Sequence, residues 1–208
     1  MTTTRVKHPI LHLDVLRADG TRMSDHRVFC RFKRRSVQVD ACCSCVHCDE
    51  VTDGPAPAVH CSLPVRPLDH ADDPAGERVE VGAVLCVGTV VLQASATLGT
   101  ALDVLRAEDR RSVAVVDVRG ALVGLVHEGG FVGRRGLPRV GLVSAAMSSP
   151  LAVHERTPVR LALKLLAANH LREVVVVSEE GVPLGVFRDV DGLRWIAGTR
   201  DDASAGAT

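Results

Sequence analysis

The chain repeats itself, and that repeat limits the folds open to it. Gly124 and Gly185 stand 61 residues apart, and at the same offset, without a gap, Ala101 meets Ala162, Leu102 meets Leu163, Leu105 meets Leu166, Arg111 meets Arg172, Val113 meets Val174, Val115 meets Val176 and Gly120 meets Gly181. Self-similarity at a fixed offset marks a supersecondary unit that has been copied and packed on its twin. Within each copy the apolar spacing changes in the same order. Leu98, Ala101, Leu102 and Leu105 recur at helical spacing, as do Val159, Ala162, Leu163 and Leu166. A Val run follows in each copy (Val113 to Val118; Val174 to Val177), then Arg119-Gly120 or Glu180-Gly181, then a second apolar run (Ala121 to Val126; Val182 to Phe187), which predicts a hairpin. Apolar stretches at Val87 to Leu92 and Leu151 to Val153 precede the helices. A second helix is predicted after each hairpin, most clearly at Asp191 to Ala197. The predicted order is β-α-β-β-α, twice, an α/β (α+β) architecture.

The segments "TLGTALDVLRAEDRRSVAVVDVRGALVGLV" and "TPVRLALKLLAANHLREVVVVSEEGVPLGVFRDVDGL", with lead-ins "VGAVLCVGTVVL" and "VGLVSAAMSSPLAV", resemble a tandem pair of CBS domains, a Bateman module. The resemblance covers roughly residues 80 to 198. It implies two repeats packed through their sheets about a pseudo-twofold axis, grooves that take an adenine nucleotide such as AMP, ATP or S-adenosylmethionine, and pairing of modules into a homodimer. It also implies a Gly-h-h-Ser/Thr-x-x-Asp/Asn stretch after the third strand, whose acid grips the ribose. In the second repeat this reads Gly185-Val186-Phe187-Arg188-Asp189-Val190-Asp191, so Asp191 matches and Arg188 replaces the hydroxyl residue. A carboxylate accepts hydrogen bonds from two vicinal hydroxyls, and an arginine offers phosphate a charge-assisted contact. Asp191 reads equally as a helix N-cap and Arg188 as a solvated charge. In the first repeat His127 and Gly130 stand at the two polar positions, which predicts a half-site defective for ribose. The resemblance adds backbone contacts from the first strands, near Val91 and Val153.

Composition narrows the function classes. Lys plus Arg number 25 and Asp plus Glu 25, so zero net charge supplies no global attraction to nucleic acid or an anionic membrane. There is no Tyr, one Trp and four Phe, which argues against an aromatic base-stacking platform. No window approaches the ~18 apolar residues of a membrane helix, and no long apolar leader opens the chain, so a cytoplasmic protein is expected. His127-Glu128 and His154-Glu155 pair a base with an acid, but they read as exposed loop residues without a nucleophile, and Gly129-Gly130 with Gly133 is no phosphate loop. The reading is non-enzymatic.

Of seven cysteines, Cys30, Cys42, Cys43, Cys45, Cys48 and Cys61 cluster, while Cys86 reads as a core residue. The 32 residues from Cys30 to Cys61 are fewer than the ~40 that fold without staples, metals or a partner. Two Cys-x-x-Cys pairs overlap, Cys42 with Cys45 and Cys45 with Cys48, and the segment is similar to zinc-ribbon-like modules that accompany CBS pairs. The preferred zinc ligands are Cys30, Cys42, Cys45 and Cys61, with Cys48 the first substitute and His47 and His60 as further donors; an iron-sulfur cluster or redox thiols are the rivals. Val28, Cys30 and Phe32 predict a strand answered by Val37 and Val39 across a basic turn of Arg31, Lys33, Arg34 and Arg35. Nucleic-acid binding through that turn is the rival function. The domains read as residues 1–27, an extension with one strand at Ile10 to Leu16 and a turn at Asp19-Gly20; 28–63, the cysteine module; 64–79, a linker; 80–136 and 137–198, the repeats; and 199–208, a fraying tail. The whole is a regulatory protein, nucleotide-sensing or a dimerising platform, with a metal-stabilised, β-rich N-terminal module.

Overall fold

The computed structural model describes residues 3–64, 68, 70–85, 88–107, 111–128 and 139–198. Cys86, Gly129, Gly130 and Gly133, the tail and the segment where a closing helix of the first repeat is expected fall outside them.

The repeat is realised residue for residue. Helices α3 (Leu98–Ala107) and α4 (Val159–Ala168), and strands β8 (Ser112–Val116), β9 (Leu122–His127), β11 (Glu173–Val177) and β12 (Pro183–Arg188) begin and end at the same offset. Both hairpins turn at a glycine with positive φ, Gly120 at 85° and Gly181 at 77°, a conformation other residues resist. Asp117 Oδ1 accepts the Arg119 and Ala121 amides in one turn, and Ser178 Oγ accepts those of Glu180 and Val182 in the other. The lead-in strands β7 (Thr89–Gln93) and β10 (Ala152–His154) run parallel to β8 and β11. Ser112 Oγ donates to Glu173 Oε1 at 2.8 Å, so two residues related by the repeat touch at the pseudo-twofold axis. Between the two sheets Leu13, Val91, Ala114, Val116, Leu125 and Val175 form a shared core.

The N-terminal part joins this body as more sheet. Strands β2 (Leu11–Leu16), β3 (Arg22–Cys30) and β4 (Arg35–Gln38) follow β1 (Thr4–Pro9), and β2 pairs in parallel with β7, Leu13 opposite Thr89 and Leu16 opposite Leu92. The result is a six-stranded sheet in the order β4-β3-β2-β7-β8-β9, whereas the second repeat keeps a three-stranded sheet, β10-β11-β12. Strand β3 runs across the 27/28 boundary expected from sequence, because Val28, Cys30 and the preceding residues form one ladder with β2 and β4. The short helix α1 (Asp40–Cys43) then leads to β5 (Cys48–Thr52) and β6 (Ala58–Leu63), which with β1 form the sheet β1-β6-β5 over a small core of Val6, Ile10, Val28, Cys42, Val59 and Leu63.

The segment expected to be a spacer is tied down at its end. Asp73, 4% exposed, accepts hydrogen bonds from the amides of Glu77, Arg78 and Val79, and these bonds hold its carboxyl below the usual range despite burial. Helix α2 (Val81–Val84) follows and lies between the module and the second repeat. The Val81 and Gly82 amides donate to Thr157 and Glu155 carbonyls at 2.8 Å, while the Phe29 ring packs so closely on Gly82 that a Cβ there would collide with it.

Candidate functional site

A groove of about 850 Å³ opens where the two repeats meet, and its lining is itself paired by the repeat: Gly88 with Ser149, Arg111 with Arg172, Ser112 with Glu173, Leu125 with Val186, His127 with Arg188. The local fold explains why. The Glu128 amide donates to the Arg111 carbonyl at 2.9 Å and the Asp189 amide to that of Arg172 at 3.0 Å, so each hairpin foot holds an arginine beside the last residue of the returning strand. His170 takes the left-handed conformation (φ 53°) after α4 and swings His170, Leu171 and Arg172 onto the groove. Three guanidinium groups and two imidazoles face two carboxylates, Glu173 and Asp189, and Glu173 is occupied by Ser112. Such a surface suits a polyanion.

Of the residues expected to bind nucleotide, Arg188 lines the groove. Asp191 lies beside it in helix α5 (Asp189–Ile196) and accepts both prongs of the Arg188 guanidinium, Nε to Oδ2 and Nη2 to Oδ1, each at 2.9 Å. It makes no N-cap hydrogen bond, because the helix starts two residues earlier than the apolar pattern predicts and Arg188 holds the cap position. Val91 is fully buried, with β2 on one side of its strand and β8 on the other, and is not among the residues that line the groove. Val153 is buried on β10, while its neighbour Leu151 reaches the groove. Sequence reasoning missed Arg111 and Arg172 as groove residues, although their match within an otherwise apolar repeat was the available signal. It also misjudged Glu155, which is 1% exposed rather than a loop residue in solvent: its Oε2 accepts the Ser36 amide at 2.8 Å and the Ser36 hydroxyl. Burial outweighs those two donors and pushes its carboxyl up.

The cysteines form a second concavity. Cys30, Cys42, Cys45, Cys48 and Cys61 line one cavity of about 230 Å³, with His8, His47, Phe32 and apolar Val28, Val59 and Leu63, while Cys43 is exposed and lies off the wall. Two successive turns arrange the knuckle, the Cys45 amide donating to the Cys42 carbonyl at 2.9 Å and the Cys48 amide to that of Cys45 at 3.1 Å. Burial, then the neighbouring thiols Cys48, Cys30, Cys45 and Cys43, push the Cys42 thiol up to about 11. Burial, then Cys48, Cys42, Cys30 and Cys45, push Cys61 up to about 12. Burial, followed by Arg31 and His60, holds the His8 imidazole down at about 4, so it is neutral at pH 7. Among the described residues no three His, Cys, Asp or Glu side chains are drawn into a ligating group. Five thiols on an apolar wall are soft donors of the kind zinc takes, but they are not gathered about one point. The basic turn beside it is partly turned inward, since Arg34 Nε donates to Glu80 Oε1 at 3.0 Å.

No helix among the described residues is long and apolar enough to cross a membrane. No curated protein matches the sequence. Solved structures do: the CBS domain of a CBS domain containing membrane protein from Sphaerobacter thermophilus (21% identical, 58% of this chain and 90% of that one, TM-score 0.49), the CBS domain of a bacterial CNNM/CorC family Mg2+ transporter in complex with ATP (20%, 60% and 92%, TM-score 0.50), and the cytosolic domain of the Mg2+ channel MgtE in complex with ATP (24%, 56% and 48%, TM-score 0.50). At these identities the two likenesses with a TM-score of 0.50 speak for the fold alone. The CBS domain family model matches residues 81–133 and 143–198, more than half of the chain and in register with the two repeats, so the chain belongs to the CBS domain family and carries the domain twice.

Proposed function

We propose that the chain is a regulatory, non-catalytic protein that senses an adenine nucleotide, AMP or ATP, in the groove between its repeats and works as a homodimer in the cytoplasm. The observation that carries this reading is the convergence of Arg111, Arg172 and Arg188 on one groove. Charge-assisted bonds from guanidinium forks are the strongest contacts a phosphate chain can receive from side chains. In the occupied groove Arg188 exchanges Asp191 for phosphate, and the released Asp191 carboxylate accepts the ribose hydroxyls. That the transporter CBS domain and MgtE are both recorded in complex with ATP supports the choice of ligand class. Titration with AMP, ADP, ATP and S-adenosylmethionine tests it: binding heat and a rise in melting temperature are expected for at least one. Silence from all four at millimolar concentration leaves a dimerising scaffold, and sedimentation equilibrium reads the dimer separately.

The five-thiol cavity favours a second element of the reading, a zinc ion held by four cysteines that crosslinks the N-terminal module. Elemental analysis of the purified full chain tests this, with about one zinc per chain expected. Iron with acid-labile sulfide would replace zinc by a cluster. Salt-sensitive nucleic-acid binding, lost on neutralising Lys33, Arg34 and Arg35, would move the output to the basic turn.

A further inference from the structure

Strands β5 and β6 pair with Thr52 opposite Ala58, Val51 opposite Val59 and Glu50 opposite His60, and then the register shifts, so that Cys48 and not Asp49 stands opposite Cys61. A bulge of this kind inserts one residue and re-aims a side chain. The Ser62 amide donates to the His47 carbonyl at 2.9 Å, one residue beyond the pair on each strand, while the Cys48 amide is turned to the Cys45 carbonyl. Cys48 and Cys61 are therefore a non-hydrogen-bonded pair, the kind whose Cα atoms stand about 4.5 Å apart and whose side chains lie closest. A disulfide spans Cα separations of about 4.4–6.8 Å, so such a pair can be bridged without moving the backbone. Both residues line the same cavity; Cys61 is buried in the module core and Cys48 packs against it. The Cys48 thiol makes only a weak contact to the Glu50 carbonyl, at 3.9 Å, which rotation about its Cα–Cβ bond gives up at little cost. No ladder sets the spacing of the other thiols on the wall: Cys42 stands on α1, Cys45 in the turn after it, and Cys30 at the end of β3 faces Arg35 rather than a thiol.

We infer that Cys48 and Cys61 form an oxidative modification site, a cross-strand disulfide made by exchange with a low-molecular-weight disulfide such as oxidised glutathione. The partly exposed Cys48 reacts first, since Cys61 is buried. The Cys48 thiolate attacks one sulfur of the small disulfide, one glutathione thiolate leaves, and a mixed disulfide stands at Cys48. Cys61 then loses its proton to solvent and its sulfur attacks that of Cys48, expelling the second glutathione thiolate. The two protein thiols give up two electrons and two protons, and the small disulfide takes both to become two thiols. Burial raises both protein thiols above their ordinary range, which makes the exchange slow near neutral pH. The bond staples β5 to β6 beside the knuckle and leaves three thiols on the wall, too few for a four-cysteine zinc. Cys48 and Cys61 stand opposed whether or not the cavity takes that ion.

The test is disulfide mapping in the full chain. The protein is reduced, freed of metal with a chelator and brought to equilibrium with glutathione at a series of reduced-to-oxidised ratios. Free thiols are then alkylated and the chain is cut after acidic residues, which separates Cys61 from Cys42 to Cys48 at Asp49, Glu50 and Asp53. Mass spectrometry without reduction is expected to show Cys48 joined to Cys61 as the chief internal link, with Cys30, Cys42, Cys43 and Cys45 alkylated or carrying glutathione. C45S is expected to keep that link at the wild-type yield, and C48S and C61S each to lose it and hold the remaining thiol as a mixed disulfide. A dominant Cys42–Cys45 or Cys45–Cys48 link, glutathione on Cys48 with no internal bond, or loss of the link in C45S overturns the proposal. Zinc is counted separately on untreated protein: its absence removes the zinc reading and leaves the disulfide standing, while failure of the disulfide leaves a measured zinc untouched.

Discussion

The two repeats share their local structure to the residue and differ in what grips them. The first is held by main chain: β2 adds to the outer edge of β7 and continues the sheet into the cysteine module. The second leaves the outer edge of β10 without a strand among the described residues; in place of a ladder it has a few main-chain bonds from α2 and two buried carboxylates, Glu155 holding Ser36 and Glu80 holding Arg34. A main-chain ladder resists loss of any one side chain, whereas a clasp of two carboxylates responds to charge and pH. The same asymmetry reaches the groove, where the first repeat offers Ser112 and His127 and the second Glu173 and Arg188. The two repeats are therefore alike in backbone and unlike both in what covers them and in the side chains they bring to the groove.

The comparison breaks most visibly at the seam. A Cβ added at Gly88 would collide with the His12 backbone in β2, whereas Ser149, its counterpart in the second repeat, is exposed. Gly88→Val is expected to destabilise the chain by about 3 kcal/mol or more, and Ser149→Val by no more than about 0.5 kcal/mol. Urea unfolding monitored at Trp195 measures both; equal losses would mean that β2 is not the partner of β7.

Next in size is the groove. Arg111 and Arg172 occupy equivalent positions, so R111A and R172A are each expected to weaken ATP binding by about 10–100-fold, the worth of a charge-assisted contact. The inequality of the repeats should appear one strand away, with R188A costing about tenfold and H127A under about threefold, read by isothermal titration calorimetry. A loss at H127A equal to that at R188A would make the two half-sites equivalent.

The clasp should titrate. Glu155 has its carboxyl raised above the ordinary value of 4.5, so the folded state holds that proton more tightly than the unfolded chain. Its contribution is greatest in acid and declines as pH rises through 4.5 towards the raised value. Asp73 has the opposite sign: lowered from 3.8, it contributes above that pH and the contribution fades as acid protonates the folded carboxylate. Unfolding free energies of wild type, E155Q and D73N across pH 3 to 7 (about neutral at the upper end) should show differences on the order of 1 kcal/mol with opposite slopes. Parallel slopes would mean that Glu155 is solvated in the folded chain.

The smallest effect is expected at Arg34, whose side chain is 59% exposed although Glu80 is nearly covered. R34A should lower stability by about 1 kcal/mol or less, and less still in high salt. A larger loss in the same urea titration would mean that the ion pair, and not Phe29 on Gly82, anchors the module to α2.

Much of this was readable in the residues. Helical spacing at Leu98 and Val159, the hairpin glycines Gly120 and Gly181 and the Arg188 position follow from patterns a few residues long. Other features were not. Val91 reads correctly as strand, but no periodicity says that Leu13 to Leu16 will pair along its edge. Arg111 and Arg172 appeared only as a match between copies, since nothing local states that two hairpin feet will meet across an axis. Glu155 looked like a loop acid because its partner, Ser36, lies 119 residues away in sequence. The cysteines were recognised as a cluster, yet no spacing says that Cys48 will stand opposite Cys61, because the bulge that puts it there depends on how β5 pairs with β6.

By itself, then, the sequence determined the unit, its duplication and the order of elements within it, because those rest on side-chain periodicity and turn chemistry between near neighbours. The tertiary structure decided which strand edge is covered, which arginines share a groove and which thiols face one another, because strand register and burial are settled by contacts between distant segments.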